Sequence, residues 1–294
     1  MFYRRKIILA LIESQNGSIE KIALQKLLFL FSKQQKKPEY DFVPYHFGCF
    51  SFSASADLKA MVKHGFLNED NKRFNKLDKS NYTSKLTPND KKTLGEIKNL
   101  YGKLSGNALM KHTYLNFHYY AINSKAAKGL LNVEQYQKII DARPFNSSTI
   151  LFTIGYEGIS LEEYLNRLIK NDVRLLIDVR NNPMSMKFGF SKSQIQKYCE
   201  SIDIDYMHIP EVGIESKQRQ ELNSQKEYDN LFKIYKATTL TKTEFYQEQI
   251  LKLLEKKKRV ALTCFEANIC QCHRKHLAEA ITSLPKWNYE LKHI

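Results

Sequence analysis

Three of the chain's five cysteines lie in one stretch, "CFEANICQCHR", which runs from Cys264 to Arg274 and also holds Glu266 and His273. Thiolate and imidazole groups bind zinc. Cys264, Cys270, Cys272 and His273 supply such groups, and His208 or His276 could complete a set. The spacing C-x5-C-x-C-H nevertheless matches no standard zinc knuckle, and no second C-x2-C pair accompanies it. Adjacent Cys272 and His273 at a helix start are also expected to point apart. The expectation is a site with no metal and no cofactor.

A second chemistry makes Cys264 a nucleophile at a strand end, with an anion held by the next helix start and by Arg274. The loop is not glycine-rich, however, and Glu266 sets a carboxylate where a bound anion would need positive charge. A third makes Glu266, Asp178 or Glu157 the reacting group, with Arg180 and Arg274 clamping an anionic substrate. A carboxylate activates water or stabilises a cationic sugar, and Arg grips phosphate in two-point contact. Tyr156 and Phe265 are then available to stack a base. Cys264 and Cys272 become small packing groups, the common fate of free cysteines. From the residues alone, Asp178–Arg180 and Glu266–Arg274 serve equally well as ion pairs that secure the rim.

These residues need a scaffold that brings distant segments to one edge. The second half of the chain supplies it. "STILFTIGYEG", "VRLLIDVRNNP", "IDYMHIPEVG" and "RVALTCFEA" are short apolar strands that end in polar residues, and helical stretches such as "SLEEYLNRLIKN" and "HRKHLAEAITSL" separate them. Strands alternating with helices predict an α/β domain with a mostly parallel sheet. Ligands in such sheets bind beyond the carboxyl ends of the strands. The candidate reacting groups Glu266, Asp178 and Cys264 sit there. So do the expected binding residues Tyr156, Glu157, Arg180, His208, Glu211, Cys272, His273 and Arg274. "KWNYELKHI" reads as a closing strand.

The first half predicts helix, helix, helix and then a β-hairpin. "RRKIILALIESQ" is followed by "IEKIALQKLLFLFSKQ", for which Ser18 is a candidate cap. "SADLKAMVKHG" closes at Gly65, and "FLNEDNKRFNKLDKSNYTSKL" alternates short apolar runs with turns. This is a mainly helical, winged-helix-like arrangement. With "ARPFNSS" as a linker, the expected domains are residues 1–147 and 148–294.

Charge separates the halves. Residues 1–150 carry 24 Lys and Arg against 12 Asp and Glu, whereas residues 151–294 carry 22 against 19. A field concentrated in one module suits a polyanionic partner, so nucleic acid is expected to bind through residues 1–147. No run approaches the length of a membrane span, and the odd, clustered cysteines fit a reduced cytoplasmic protein rather than a disulfide scaffold.

Together "TIGYEG", "LIDVRNNPMS", "YMHIPEVG" and "CFEANICQCHR" resemble the DUF488 family across residues 150–283. The C-x-E-x5-C-H-R pattern of Cys264, Glu266, Cys272, His273 and Arg274 is the most specific part. The resemblance implies a compact α/β domain with a polar pocket and no particular reaction. "LLIDVR" is also similar to the opening strand of rhodanese-like domains. "LQKLLFLF…YDFVPYHFGCFS…DLKAMVKHGFL" resembles winged-helix-like modules of antitoxin and phage-defence proteins of the SocA/Panacea type. The expected function is a nucleic-acid-associated enzyme, hydrolysing or modifying DNA, RNA or a nucleotide, in bacterial defence or DNA repair. A nucleotide-like ligand is expected in the C-terminal pocket. A Cys-dependent rhodanese-like transferase and a non-enzymatic, nucleotide-sensing DNA-binding regulator are the alternatives.

Overall fold

A computed structural model describes residues 1–219, 222 and 224–294. The chain divides into two compact units, Met1–Arg143 and Pro144–Ile294, and the division falls inside "ARPFNSS". Among the described residues, no helix is long and apolar enough to cross a membrane.

The first unit begins with α1 (Tyr3–Ser14), β1 (Ser18–Glu20) and α2 (Lys21–Gln34). In α2 every residue from Ala23 to Ser32 is buried, so this helix is the unit's central rod rather than a surface helix. A small hairpin, β2 (Val43–Tyr45) and β3 (Gly48–Phe50), leads to α3 (Phe52–Lys63), where the Ser51 hydroxyl accepts from the Ala54 amide as N-cap. Gly65, at φ +73°, turns the chain out of α3. Strands β4 (Leu67–Glu69) and β5 (Arg73–Lys76) then form an antiparallel sheet with β1 in the order β1-β5-β4. Ser18 is therefore not a helix cap. It pairs with Asn75 across β1 and β5, and its hydroxyl donates to the Asn75 side chain at 2.6 Å. Helices α4 (Pro88–Tyr101), α5 (Gly106–Asn116), α6 (Ala127–Leu130) and α7 (Val133–Asp141) complete the unit.

The second unit alternates β6 (Ile150–Gly155), α8 (Leu161–Lys170), β7 (Leu175–Asp178), α9 (Lys192–Glu200) and β8 (Asp205–His208). It continues with α10 (Gln225–Tyr235), α11 (Glu244–Lys257), β9 (Arg259–Cys264), α12 (His273–Thr282) and β10 (Glu290–His293). The sheet is wholly parallel, in the order β10-β6-β9-β7-β8. β6 and β9 are buried along their whole length, which explains their unbroken apolar runs: layers cover both faces. Side chains of β9 alternate between those layers. Leu262 and Cys264 pack in the cluster with α10, α11 and α12, while Thr263 accepts a 2.7 Å hydrogen bond from Tyr164 of α8. β7 continues toward β8 and its neighbour β9 toward β10. Connections that leave adjacent strands in opposite directions open a crevice at their carboxyl ends.

Candidate functional site at the strand ends

Asp178 ends β7 and is fully buried. Its carboxylate accepts from Arg180 Nε at 2.8 Å and Nη2 at 2.5 Å, and from the Tyr206 hydroxyl at 2.8 Å. Arg180, only 6% exposed, gives its remaining terminal nitrogen to the Tyr156 hydroxyl at 2.6 Å and to the Phe190 carbonyl at 2.9 Å. Burial opposes charge on this guanidinium, and the Asp178 carboxylate more than offsets it, so Arg180 titrates above its usual range. Tyr156 lies flat on Phe190, with ring centres 4.2 Å apart, and meets Phe265 edge-on at 5.3 Å. Burial also raises the Tyr156 phenol, which therefore stays neutral and accepts from Arg180. His208, in the same face of β8 as Tyr206, donates from Nε2 to the Arg180 carbonyl at 2.8 Å. Lys192 stands 3.2 Å from its other nitrogen.

The second cluster is the loop after β9. Register sets Gly155 beside Cys264 and Asp178 beside Thr263, so the loop starts against both neighbouring strand ends. The amides of Tyr156 and Glu157 both donate to the Phe265 carbonyl, at 3.1 and 2.9 Å. The Glu157 carboxylate accepts from the Ala267 amide at 3.0 Å. Arg274 is 3% exposed; its Nη1 donates to the Glu266 main-chain oxygen at 2.5 Å and its Nη2 to that of Ala267 at 3.4 Å. Its Nε is buried with no hydrogen-bond partner. Gly155 is needed beneath this loop, because a Cβ there would collide with the Glu266 carbonyl oxygen.

Inside the loop, the Cys264 thiol donates to the Glu266 carboxylate at 3.2 Å and lies 3.6 Å from Nδ1 of His273. His273 Nε2 donates to the Val179 carbonyl at 3.0 Å. Cys272 is the residue before α12, with extended backbone (φ −127°, ψ 132°), and His273 is the first helical residue. That change of backbone conformation turns both side chains toward Cys264. The expected divergence of Cys272 and His273 is thus overturned: the ligand atoms of Cys264, Cys272 and His273 lie within 4.8 Å of one another. Burial, then the neighbouring Cys264, pushes the Cys272 thiol well above its ordinary range.

Sequence and geometry meet in this second unit. Residues 160–281 match the DUF488 family, described as a domain of unknown function. No curated protein matches the chain. The DUF488 span contains Asp178, Arg180, His208, Glu211 and the whole of Cys264–Arg274, and it leaves out Tyr156 and Glu157.

Within and beside the DUF488 span, most of the expected residues gather, though several face inward. Arg180 and Arg274 were expected to hold a substrate anion; Arg180 gives all three side-chain nitrogens, and Arg274 both terminal ones, to protein oxygens. Tyr156 was expected to stack a base, and Phe190 already occupies its face. Phe265 and Glu157 are exposed and Glu266 is half-buried, while Glu211 is exposed and contacts Tyr246. Sequence reasoning missed Phe190 and Tyr206. Tyr206 was findable from strand alternation, two residues before His208. Phe190 lies in a loop with no such period. Lys187 was missed as well: its Nζ donates to the Tyr156 carbonyl at 2.5 Å, and burial lowers its pKa.

Proposed function

We propose that the protein binds nucleic acid through its first unit and hydrolyses or modifies nucleic acid, or a nucleotide, at the strand-end crevice of its second. The observation that carries this reading is where the first unit's charge converges. Lys76, Lys79, Lys91 and Lys98 line one cleft of about 510 Å³, with Asn81 and Thr83 among its polar walls. Its one carboxylate, Glu13, is engaged by Lys76 at 3.3 Å and by the amides of Tyr82 and Thr83. A second cleft shares Ser14 and Lys98 and adds Lys103, so the basic lining is continuous. Amines in a groove contact successive phosphates, and hydroxyls and amides add sugar and phosphate contacts. The order α1-β1-α2-β2-β3-α3-β4-β5, with β1, β5 and β4 in one antiparallel sheet and β2-β3 as a separate hairpin, supports a winged-helix character for this unit.

In the second unit Glu266 is the better reacting carboxylate. Asp178 is fully buried and already spends both oxygens on Arg180 and Tyr206, whereas Glu266 is only half-buried and so partly open to solvent. The five free thiols suit a reducing cytoplasm. A Cys264 nucleophile of rhodanese kind fits less well, since that thiol is fully buried behind Glu266.

The test is binding and turnover with the full chain. Affinity for labelled DNA and RNA oligonucleotides should fall with salt at a log–log slope near −0.9 per phosphate contacted on duplex DNA. Reversing Lys91 and Lys98 to Glu should weaken binding at least about tenfold. Binding that ignores both salt and the reversals would sink the first half. Mass analysis of treated oligonucleotides and nucleotides tests the second: Glu266→Gln should stop turnover and leave binding intact. Ligand-dependent DNA affinity with no turnover by the wild type would instead make the protein a sensor.

A further inference from the structure

We infer that Cys264, Cys272 and His273 form a three-ligand site for a zinc-class divalent ion, with a fourth position open to a water whose proton Glu266 takes. The inference rests on Glu266 being the reacting carboxylate proposed above. Two features of the geometry and one of the charge support it. With Zn–S near 2.3 Å and Zn–N near 2.05 Å, tetrahedral angles set the S···N separation at about 3.6 Å. Cys264 Sγ and His273 Nδ1 are 3.6 Å apart, and Cys272 completes a triangle within 4.8 Å. The fixed ring of His273 comes next. Because a carbonyl only accepts, the 3.0 Å contact with Val179 places the proton on Nε2 and turns the Nδ1 lone pair toward the thiols. Metal-bound histidines use this outer contact to fix tautomer and ring angle. Charge is the third support: two thiolates cancel a divalent ion, so the buried assembly is neutral. Sulfur and imidazole donors select zinc over magnesium or calcium.

Glu266 lies two residues after the first ligand and against Cys264, but outside the group of three that converge. It is half-buried while the three ligands are buried, so it stands on the solvent side of the set. A water on the ion loses one proton to the Glu266 carboxylate and remains as hydroxide, the nucleophile. When the adduct collapses, that proton passes from Glu266 to the leaving group, and the carboxylate is regenerated. Zinc held by one His and two Cys, with a non-ligating Glu moving the proton, serves hydrolysis at nucleobases. The ligand class is therefore a nucleobase or nucleotide carrying a hydrolysable group.

The full chain, stripped with chelator and titrated with Co²⁺, should bind one ion per chain. It should develop the visible absorption of tetrahedral cobalt and a thiolate-to-cobalt charge-transfer band, and Zn²⁺ should abolish both. Cys264→Ser, Cys272→Ser and His273→Ala should lose the bands, whereas Cys270→Ser and His276→Ala should keep them. Should the ligand variants fail to fold, the wild-type spectrum still decides. A wild type with no stoichiometric cobalt and no charge-transfer band overturns the site, as does loss of the bands in Cys270→Ser. Glu266→Gln should keep the cobalt spectrum while losing turnover. A metal-free wild type that still needs Glu266 for turnover refutes this inference and leaves the proposed function standing. A cobalt-binding Glu266→Gln that turns over normally refutes the role of Glu266 in both.

Discussion

Nε2 of His273 and the main-chain oxygen of Val179 are 3.0 Å apart, and this bond joins the two clusters of the site. Val179 stands between Asp178 and Arg180, and His273 opens α12. The ring orientation beside Cys264 is thereby set by the end of β7. His273→Leu in the metal-free protein should leave the buried Val179 carbonyl without its donor and cost about 1–3 kcal/mol. Urea unfolding followed by Trp287, the chain's one tryptophan, reports on the second unit and measures that cost.

The Asp178–Arg180 pair is expected to matter most when broken from one side. Asp178→Ala leaves a buried guanidinium without its counter-ion and should destabilise the second unit by about 3–5 kcal/mol. Asp178→Ala combined with Arg180→Met should cost clearly less than the two single changes added together. Strict additivity in the same fluorescence assay would mean that the pair is not coupled.

Gly155→Ala should displace the loop that carries Glu266, since the new methyl group meets that residue's carbonyl oxygen. A loss of about 1–3 kcal/mol is expected together with loss of turnover. The control is Gly95→Ala in α4, where a Cβ meets no atom within 4 Å. There the change should stabilise by about 0.5–1 kcal/mol. Thermal melts of both variants provide the comparison.

Glu13 gives the first unit a pH signature. Burial pushes its carboxyl upward, but the amides of Tyr82 and Thr83, the Thr83 hydroxyl and Lys76 more than offset this, so its pKa is lowered. A depressed folded pKa means stabilisation that is complete above the ordinary carboxylate range and lost as pH falls through the folded value. Glu13→Ala should therefore destabilise at neutral pH, by about 1–3 kcal/mol for the buried donors it strands. Wild type and variant should converge in acid. Circular-dichroism melts across that range follow the difference.

The parallel sheet was legible because each strand is an apolar run ending in chemistry-bearing residues, and β10 was legible from "KWNYELKHI". The gathering of Asp178, Cys264 and Glu266 at one edge followed from strand polarity alone. What strand polarity leaves open is which neighbour a long side chain reaches. Arg180 and Arg274 sit at the expected edge, yet oxygens from Tyr156, Phe190 and the loop itself capture them. The convergence of Cys272 and His273 turns on one residue's backbone angles at the start of α12. No periodicity encodes those. β1 was missed for a related reason: three residues, Ser18–Glu20, are too few to show alternation, and Ser18 offered a competing role as a cap.

The strand order has a consequence for how the protein is made. β6 takes both its neighbours, β9 and β10, from the far end of the second unit. While the chain is being synthesised, "ILFTIG" is exposed with two unpaired edges until residues 259–293 emerge. Such late, non-local pairing is slow, and an apolar strand with open edges invites association between nascent chains. Expression yield should thus depend on chaperones that shield β6 more than on the stability of the finished fold.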